Sequence, residues 1–244
     1  MIDINSYKRF MGINSFPQFK TEYYKLIESQ GFAYAARAEF DPETKRHKLL
    51  LPSNAEVPMF LIFHELTHIL DMETLWKGDR AHDYYLTGYM EYHASQIELM
   101  AMMNAMTIRD TLSFSMDESI GFNDYSVRQY LDNKLENAKA LMLDSSSQKR
   151  SDGLGVLFNF LGLKSVCKMY AKDFKDDYTY RELMNHISAF LFMELREFFV
   201  GWIDDVDGAV ALYLMLRDEL GAAPERDDKR DGSKCLFFAT PFCR

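Results

Sequence analysis

Apolar residues recur with a helical period over most of this chain, and the exceptions lie near its start. Residues 19–30 place their apolar side chains on one face of a predicted helix, which Gly31 would end. The two apolar runs that follow, 32–40 and 47–51, are short and flank a turn sequence that contains Pro42. They therefore predict a β-hairpin.

Helical periodicity governs the rest of the sequence. Ser53 or Asn54 is expected to cap a helix that runs to about Trp76. The helices predicted after it cover residues 84–111, 125–143, 154–174, 179–202 and 206–220, with a loop over 113–124 and a polar connector over 145–153. The pattern indicates an α+β fold that is mostly α, with one small sheet near the N-terminus.

The first long predicted helix carries a sequence typical of zinc sites, His64-Glu65-Leu66-Thr67-His68. Histidines four positions apart lie on the same face of a helix, where both imidazoles can bind one Zn²⁺. The glutamate after the first histidine is then placed to accept a proton from water held by the metal. The motif predicts a Zn²⁺ site with His64 and His68 as ligands and Glu65 as the catalytic base.

A zinc enzyme generally needs a third protein ligand, and the next predicted helix offers two candidates. The extended motif His-Glu-x-x-His-x-x-Gly-x-x-His is absent, because Asp71 and Thr74 replace its glycine and its third histidine. Glu91 and His93 are two residues apart and point roughly 200° away from each other, so only one can face the metal. We favour Glu91, because small residues on its side of the helix allow a close approach to the histidines; His93 is the alternative ligand.

With Glu91 as the third ligand, the chain resembles the gluzincins, and in particular the ImmA/IrrE group of phage and mobile-element metallopeptidases. The resemblance rests on the motif at 64–68 and on a Glu-x-x-Ala element that starts at Glu91, and it covers residues 32–106. It implies a zinc peptidase with a protein or peptide substrate, such as a regulatory protein.

Three regions are expected along the chain. Residues 1–111 would form a zincin-like catalytic core that includes the small sheet. Residues 112–221 would form a helical region packed on this core, and residues 222–244 a charged linker with the C-terminal tail. The expected fold class is thus α+β, mostly α, with a helical C-terminal half.

Other residues near the motif are candidates for supporting roles. Many gluzincins carry an aspartate four residues after the glutamate ligand, where it can orient a histidine, but this chain has Ser95. A neutral hydroxyl supports a ligand less strongly, and Asp71 or Glu98 could compensate.

Peptide hydrolysis also needs a donor for the developing oxyanion. The candidates for this donor are Tyr84, Tyr85, His82 and His186.

Composition limits the classes of binding partner and the cellular compartment that we expect for this protein. The formal net charge of −9 disfavours nucleic-acid binding, because an acidic surface repels phosphate. The three cysteines, Cys167, Cys235 and Cys243, are too few and too scattered for a disulfide framework. The sequence starts without a secretory signal, and its longest apolar stretch is interrupted by charges, so we expect a cytoplasmic protein that does not span a membrane.

Two other readings of the sequence compete with the peptidase. A non-catalytic interaction protein could retain the metallopeptidase scaffold, and the long helical portion after Thr111 together with Ser95 favours this alternative. A DNA-binding regulator with a peptidase-like part is disfavoured by the net charge and by the lack of a convincing helix-turn-helix sequence. The sequence does not indicate an oligomeric state.

Overall fold

The computed structural model describes residues 3–25, 36–41, 43–76, 83–121, 124–198 and 206–222. Its strands are β1 (Phe19–Tyr24), β2 (Arg37–Asp41) and β3 (Arg46–Pro52). Its α-helices are α1 (Ile4–Met11), α2 (Met59–Asp71), α3 (Asp83–Met102), α4 (Val127–Met142), α5 (Ser147–Tyr170), α6 (Ala189–Glu197) and α7 (Val206–Leu220). The expected α+β class, mostly α with a small sheet, is confirmed. The predicted linker and tail over 222–244 lie outside the described residues except for Ala222.

The three strands form one sheet in the order β1-β3-β2. β2 and β3 pair in antiparallel fashion, so the predicted hairpin is confirmed in its described part. The predicted helix over 19–30 is wrong in its first part, where β1 pairs in parallel with β3, and residues 26–30 lie outside the described residues. Three of the six residues of β1 are aromatic and favour strands, and a short isolated helix has little stability of its own. Pairing with β3 therefore decides the conformation.

Helix α2 begins later than the sequence predicts. Neither Ser53 nor Asn54 caps it; Pro58 occupies the cap position and accepts two backbone hydrogen bonds from the first turn. Proline is tolerated at a helix start, where its missing N–H costs no helical hydrogen bond. Wider, π-helical turns over Met72–Trp76 continue α2. The chain is therefore helical as far as the sequence predicts.

Two more predicted boundaries are wrong. Helix α3 ends at Met102 rather than at 111, and Asn104 just beyond it adopts a left-handed conformation with φ of 59°. Most of the predicted connector over 145–153 is helical, because the side chain of Ser146 caps α5 and accepts a hydrogen bond from the Lys149 backbone. Side-chain capping of this kind stabilises a helix start within a polar sequence.

The predicted helix over 179–202 is divided in the structure. A short 3₁₀-helix covers Arg181–Asn185, and α6 starts only after Ser188, whose side chain caps it. Residues 199–202 of this predicted helix lie outside the described residues. By contrast, α7 has the predicted bounds, and α4 falls within its predicted range.

Helix α3 is the central element of the described structure. It packs against α2 on one side and against α5 and α7 on others, and residues 88–100 are all buried. Close packing depends on glycine: a Cβ at Gly88 would lie 2.7 Å from side-chain atoms of Tyr213 on α7. This packing brings α3 alongside the histidine-bearing helix α2. None of the helices in the described part of the chain combines the length and the hydrophobicity that a membrane-spanning segment needs.

Candidate metal centre

The two motif histidines lie one turn apart on α2, as their spacing predicts. Their ring centroids are 4.7 Å apart and their planes meet at 72°. His64 and His68 expose 5% and 0% of their surfaces, because α2 is embedded among apolar neighbours. The buried apolar residues around them on the same helix are Leu61, Ile62, Phe63, Leu66 and Ile69.

Glu91 projects from α3 towards both histidines. Its Oε2 lies 3.7 Å from His64 Nε2 and 3.8 Å from His68 Nε2. Two ligand atoms of one tetrahedral Zn²⁺ lie roughly 3.3–3.4 Å apart. The distances from Glu91 Oε2 to the two histidine nitrogens are therefore slightly longer than a zinc site requires. Among the described residues, these three form a buried group that could hold a metal ion.

The chemistry of the donor atoms fits a cation. Glu91 is 2% exposed, and its Oε2 accepts no hydrogen bond from any described residue. A buried carboxylate oxygen without a donor is costly, and a metal ion at this position would satisfy it. Burial raises the pKa of the Glu91 carboxyl, and the neighbouring His64 opposes this rise. Two imidazoles and one carboxylate are a common set of zinc ligands.

The alternative ligand, His93, has a different partner. Its Nδ1 lies 2.9 and 3.0 Å from the two carboxylate oxygens of Asp71, and both side chains are buried. His93 is not a member of the group that could hold a metal. Asp71, which the sequence offered as a support for the ligands, therefore contacts the alternative ligand instead.

The candidate base, Glu65, lies between α2 and the sheet. Its Oε2 accepts a 2.7 Å hydrogen bond from the backbone N–H of Ala38 on β2. Burial raises the pKa of Glu65 to about 8, while His64 and the Ala38 N–H act in the opposite direction. A proton acceptor is most effective when its pKa is near the working pH. The sheet thus holds this carboxylate beside the histidines.

The carboxylate of Glu98 contacts the Nδ1 atom of His64. Its Oε2 is 2.6 Å from His64 Nδ1, a close ion-pair contact without the alignment of a full hydrogen bond. Burial alone would raise the pKa of Glu98, but Lys134, His64 and the hydroxyl of Tyr130 lower it to about 2. Burial by itself lowers the pKa of the His64 imidazole. Glu91 and Glu98 outweigh this effect and raise the pKa to about 10.

The hydroxyl of Ser95 contacts α5 rather than a histidine. Ser95 Oγ donates a 2.5 Å hydrogen bond to Asn159 Oδ1. The side chain of Asn159 also lowers the pKa of the Glu91 carboxyl. Asn159 is 1% exposed. The serine thus supports the third candidate ligand indirectly, through an amide that bridges the two helices.

The four candidate oxyanion donors lie only partly within the described residues. His82 and the side chain of Tyr84 lie outside the described residues. Tyr85 is half-buried at the start of α3, less than two turns before Glu91. His186 is exposed at the end of the 3₁₀-helix, and no side-chain hydrogen bond in the described structure joins it to the metal-site group.

The sequence analysis missed four residues that act on this site through hydrogen bonds or charge: Ala38, Tyr130, Lys134 and Asn159. Tyr130 and Lys134 are one turn apart on the buried face of α4, and a lysine on an apolar helix face is a sequence signal for a buried charge partner. Ala38 contributes only its backbone, and Asn159 lies on a helix that is buried on nearly every side, so neither has a comparable signal.

Comparisons with known proteins do not extend this description. No protein-family model, curated protein or solved structure matches the chain.

Proposed function

We propose that this protein is a zinc-dependent peptidase of the gluzincin type that hydrolyses a bond in a protein or peptide substrate. The observation that carries the proposal is the convergence of His64 Nε2, His68 Nε2 and Glu91 Oε2 from two helices. The arrangement supports His64, His68 and Glu91 as zinc ligands. Zinc bound there would supply Lewis-acid activation of a water molecule.

The chain's own residues would then handle the proton and the substrate. Glu65 would accept a proton from the attacking water and return it to the leaving amine. The hydrogen bond from Ala38 N–H to Glu65 supports a role for β2 next to the site. Among the strands that the structure describes, β2 is at an edge of the sheet, so an extended peptide could pair with its backbone there.

A direct test separates metal binding from cleavage. Purified protein is expected to contain about one zinc per chain, measured by elemental analysis. Zinc-loaded protein is then incubated with a proteome-derived peptide library, and new termini are identified by mass spectrometry. Glu65→Gln should retain the zinc and produce no new termini, whereas Glu194→Gln, at an exposed position on α6, should behave like the wild type. Loss of zinc in Glu65→Gln, or unchanged cleavage, would contradict the assigned roles.

Burial of the site supports a second candidate, a non-catalytic interaction protein that retains the metal-binding scaffold. Glu65 is 4% exposed, and one of its oxygens is already occupied by a backbone N–H. A carboxylate held in this way can be purely structural. This candidate predicts one zinc per chain, no cleavage in the library, and a drop in thermal stability when zinc is removed. Cleavage that depends on Glu65 excludes it.

A further inference from the structure

The side chain of Glu98 links the candidate metal centre to the helical region. It is 1% exposed and approaches His64 Nδ1 to 2.6 Å, seven residues after the third candidate ligand. His64 Nε2 is the nitrogen that faces Glu91. A carboxylate beside Nδ1 favours the histidine tautomer with its proton on Nδ1, which leaves the lone pair of Nε2 for a metal.

Two residues of α4 stabilise the charged form of this glutamate, Tyr130 through a hydrogen bond and Lys134 through its positive charge. The hydroxyl of Tyr130 donates a hydrogen bond to Glu98 Oε1, whereas Oε2 is the oxygen that contacts His64. Lys134 is 2% exposed and lies one turn further along α4, with its ammonium 5.5 Å from the centre of the Tyr130 ring. Its positive charge acts on both Glu98 and Glu91. A buried carboxylate needs such hydrogen bonds and counter-charges.

We infer that Glu98 is the positioning residue for His64, and that Tyr130 and Lys134 on α4 keep its carboxylate in place for that role. Helix α4 is therefore part of the metal centre rather than only a cover over it. The inference rests on the metal-binding part of the proposed function. It also explains how this chain orients His64 although Ser95 stands where many gluzincins have an aspartate.

The main test measures zinc affinity by competition with a chromophoric chelator at fixed pH. Glu98→Gln is expected to weaken zinc binding about 10–100-fold, the usual loss when a partner of a ligand is removed. Tyr130→Phe should weaken it less, by about 10-fold. Tyr180→Phe is the matched control, because the Tyr180 hydroxyl is also buried but has no hydrogen-bond partner in the described structure, and it should leave the affinity unchanged.

The double variant Glu98→Gln/Tyr130→Phe distinguishes positioning from a general loss of structure. If Tyr130 acts through Glu98, the double variant binds zinc as weakly as Glu98→Gln alone. Losses that multiply would show that Tyr130 acts independently, and would overturn the inference. Far-UV circular dichroism of each zinc-free variant checks that it is folded.

Lys134 is tested through thermal stability of the zinc-free protein. Lys134→Met should lower the unfolding midpoint because it leaves Glu98 buried without its counter-charge, and adding Glu98→Gln should restore part of the loss. Lys139→Met is the control: Lys139 is also buried on α4, but it pairs with Glu136 and Glu182 at 2.9 and 3.3 Å. Adding Glu98→Gln should not restore the stability that Lys139→Met loses.

The outcomes separate this inference from the proposed function. Wild-type protein that binds no zinc overturns both. Wild-type protein that binds zinc, together with a Glu98→Gln variant of equal affinity, overturns the inference and leaves the proposed function standing.

Discussion

Gly162 on α5 lies directly against the backbone of Tyr92 on α3. A Cβ atom at position 162 would be 2.2 Å from the Tyr92 carbonyl oxygen and 3.0 Å from Ser95 Cβ. This contact holds the helix that carries Glu91 close to α5, whose Asn159 accepts the hydrogen bond from Ser95 and lowers the pKa of Glu91. The spacing of these two helices is therefore part of the geometry of the candidate metal centre.

Gly162→Ala is expected to destabilise the protein by about 2 kcal/mol, because overpacking a buried contact costs more than the gain in helix propensity returns. The free energy of unfolding in urea measures the effect. Gly155→Ala on the same helix is the control, since its Cβ would come no closer than 3.9 Å to Glu91 Cγ. The control should be neutral or up to about 1 kcal/mol more stable. Equal stabilities of the two variants would contradict the close approach.

Ser95→Asp introduces the residue that many gluzincins have at this position, and we expect it to harm this protein. The new carboxylate would face Asn159 Oδ1, which now accepts the serine hydroxyl, and a buried charge without a partner costs about 3 kcal/mol or more. Urea unfolding and zinc affinity are measured together. Ser95→Ala, which loses only one hydrogen bond, should cost about 1 kcal/mol. A tighter zinc site in the aspartate variant would mean that His64 lacks a sufficient partner in Glu98.

Removal of zinc is expected to lower thermal stability. A ligand that binds only the folded state at 100 times its Kd stabilises that state by about 2.7 kcal/mol. Differential scanning calorimetry with saturating zinc and with a chelator measures the shift. His68→Ala should show a much smaller shift, because one of the three converging donors is lost. A chelator that leaves the unfolding midpoint of the wild-type protein unchanged would argue against a zinc site here.

Cys167 is expected to be unreactive in the folded protein. It is a free thiol with no exposed surface, and burial raises its pKa well above the usual range for cysteine. Because the thiolate is the reactive form, iodoacetamide at pH 8 should label this residue only after unfolding. Peptide mapping by mass spectrometry in the presence and absence of guanidinium chloride measures the labelling. Rapid labelling of the native protein would show that α5 is not packed as the structure describes.

Local sequence was sufficient for the features that depend on short-range geometry. The spacing of His64 and His68 defines a shared helix face, because two side chains four residues apart lie one turn apart on any α-helix. The hairpin also follows from two short apolar runs around a turn. Helix geometry also showed that only one of Glu91 and His93 can face the histidines, because the two point in opposite directions. Small residues on the Glu91 side favoured Glu91, and the buried group contains it.

Only the tertiary structure decided which distant residues meet these groups. Residues 19–24 form a strand because β3 offers a parallel partner, although their local spacing suggested a helix. Tyr130, Asn159 and the backbone of Ala38 reach the site from α4, α5 and β2. Local periodicity reports which face of an element is apolar, but not which element will cover it. That choice depends on packing between segments far apart in the sequence, and this packing also determines which buried charges find partners.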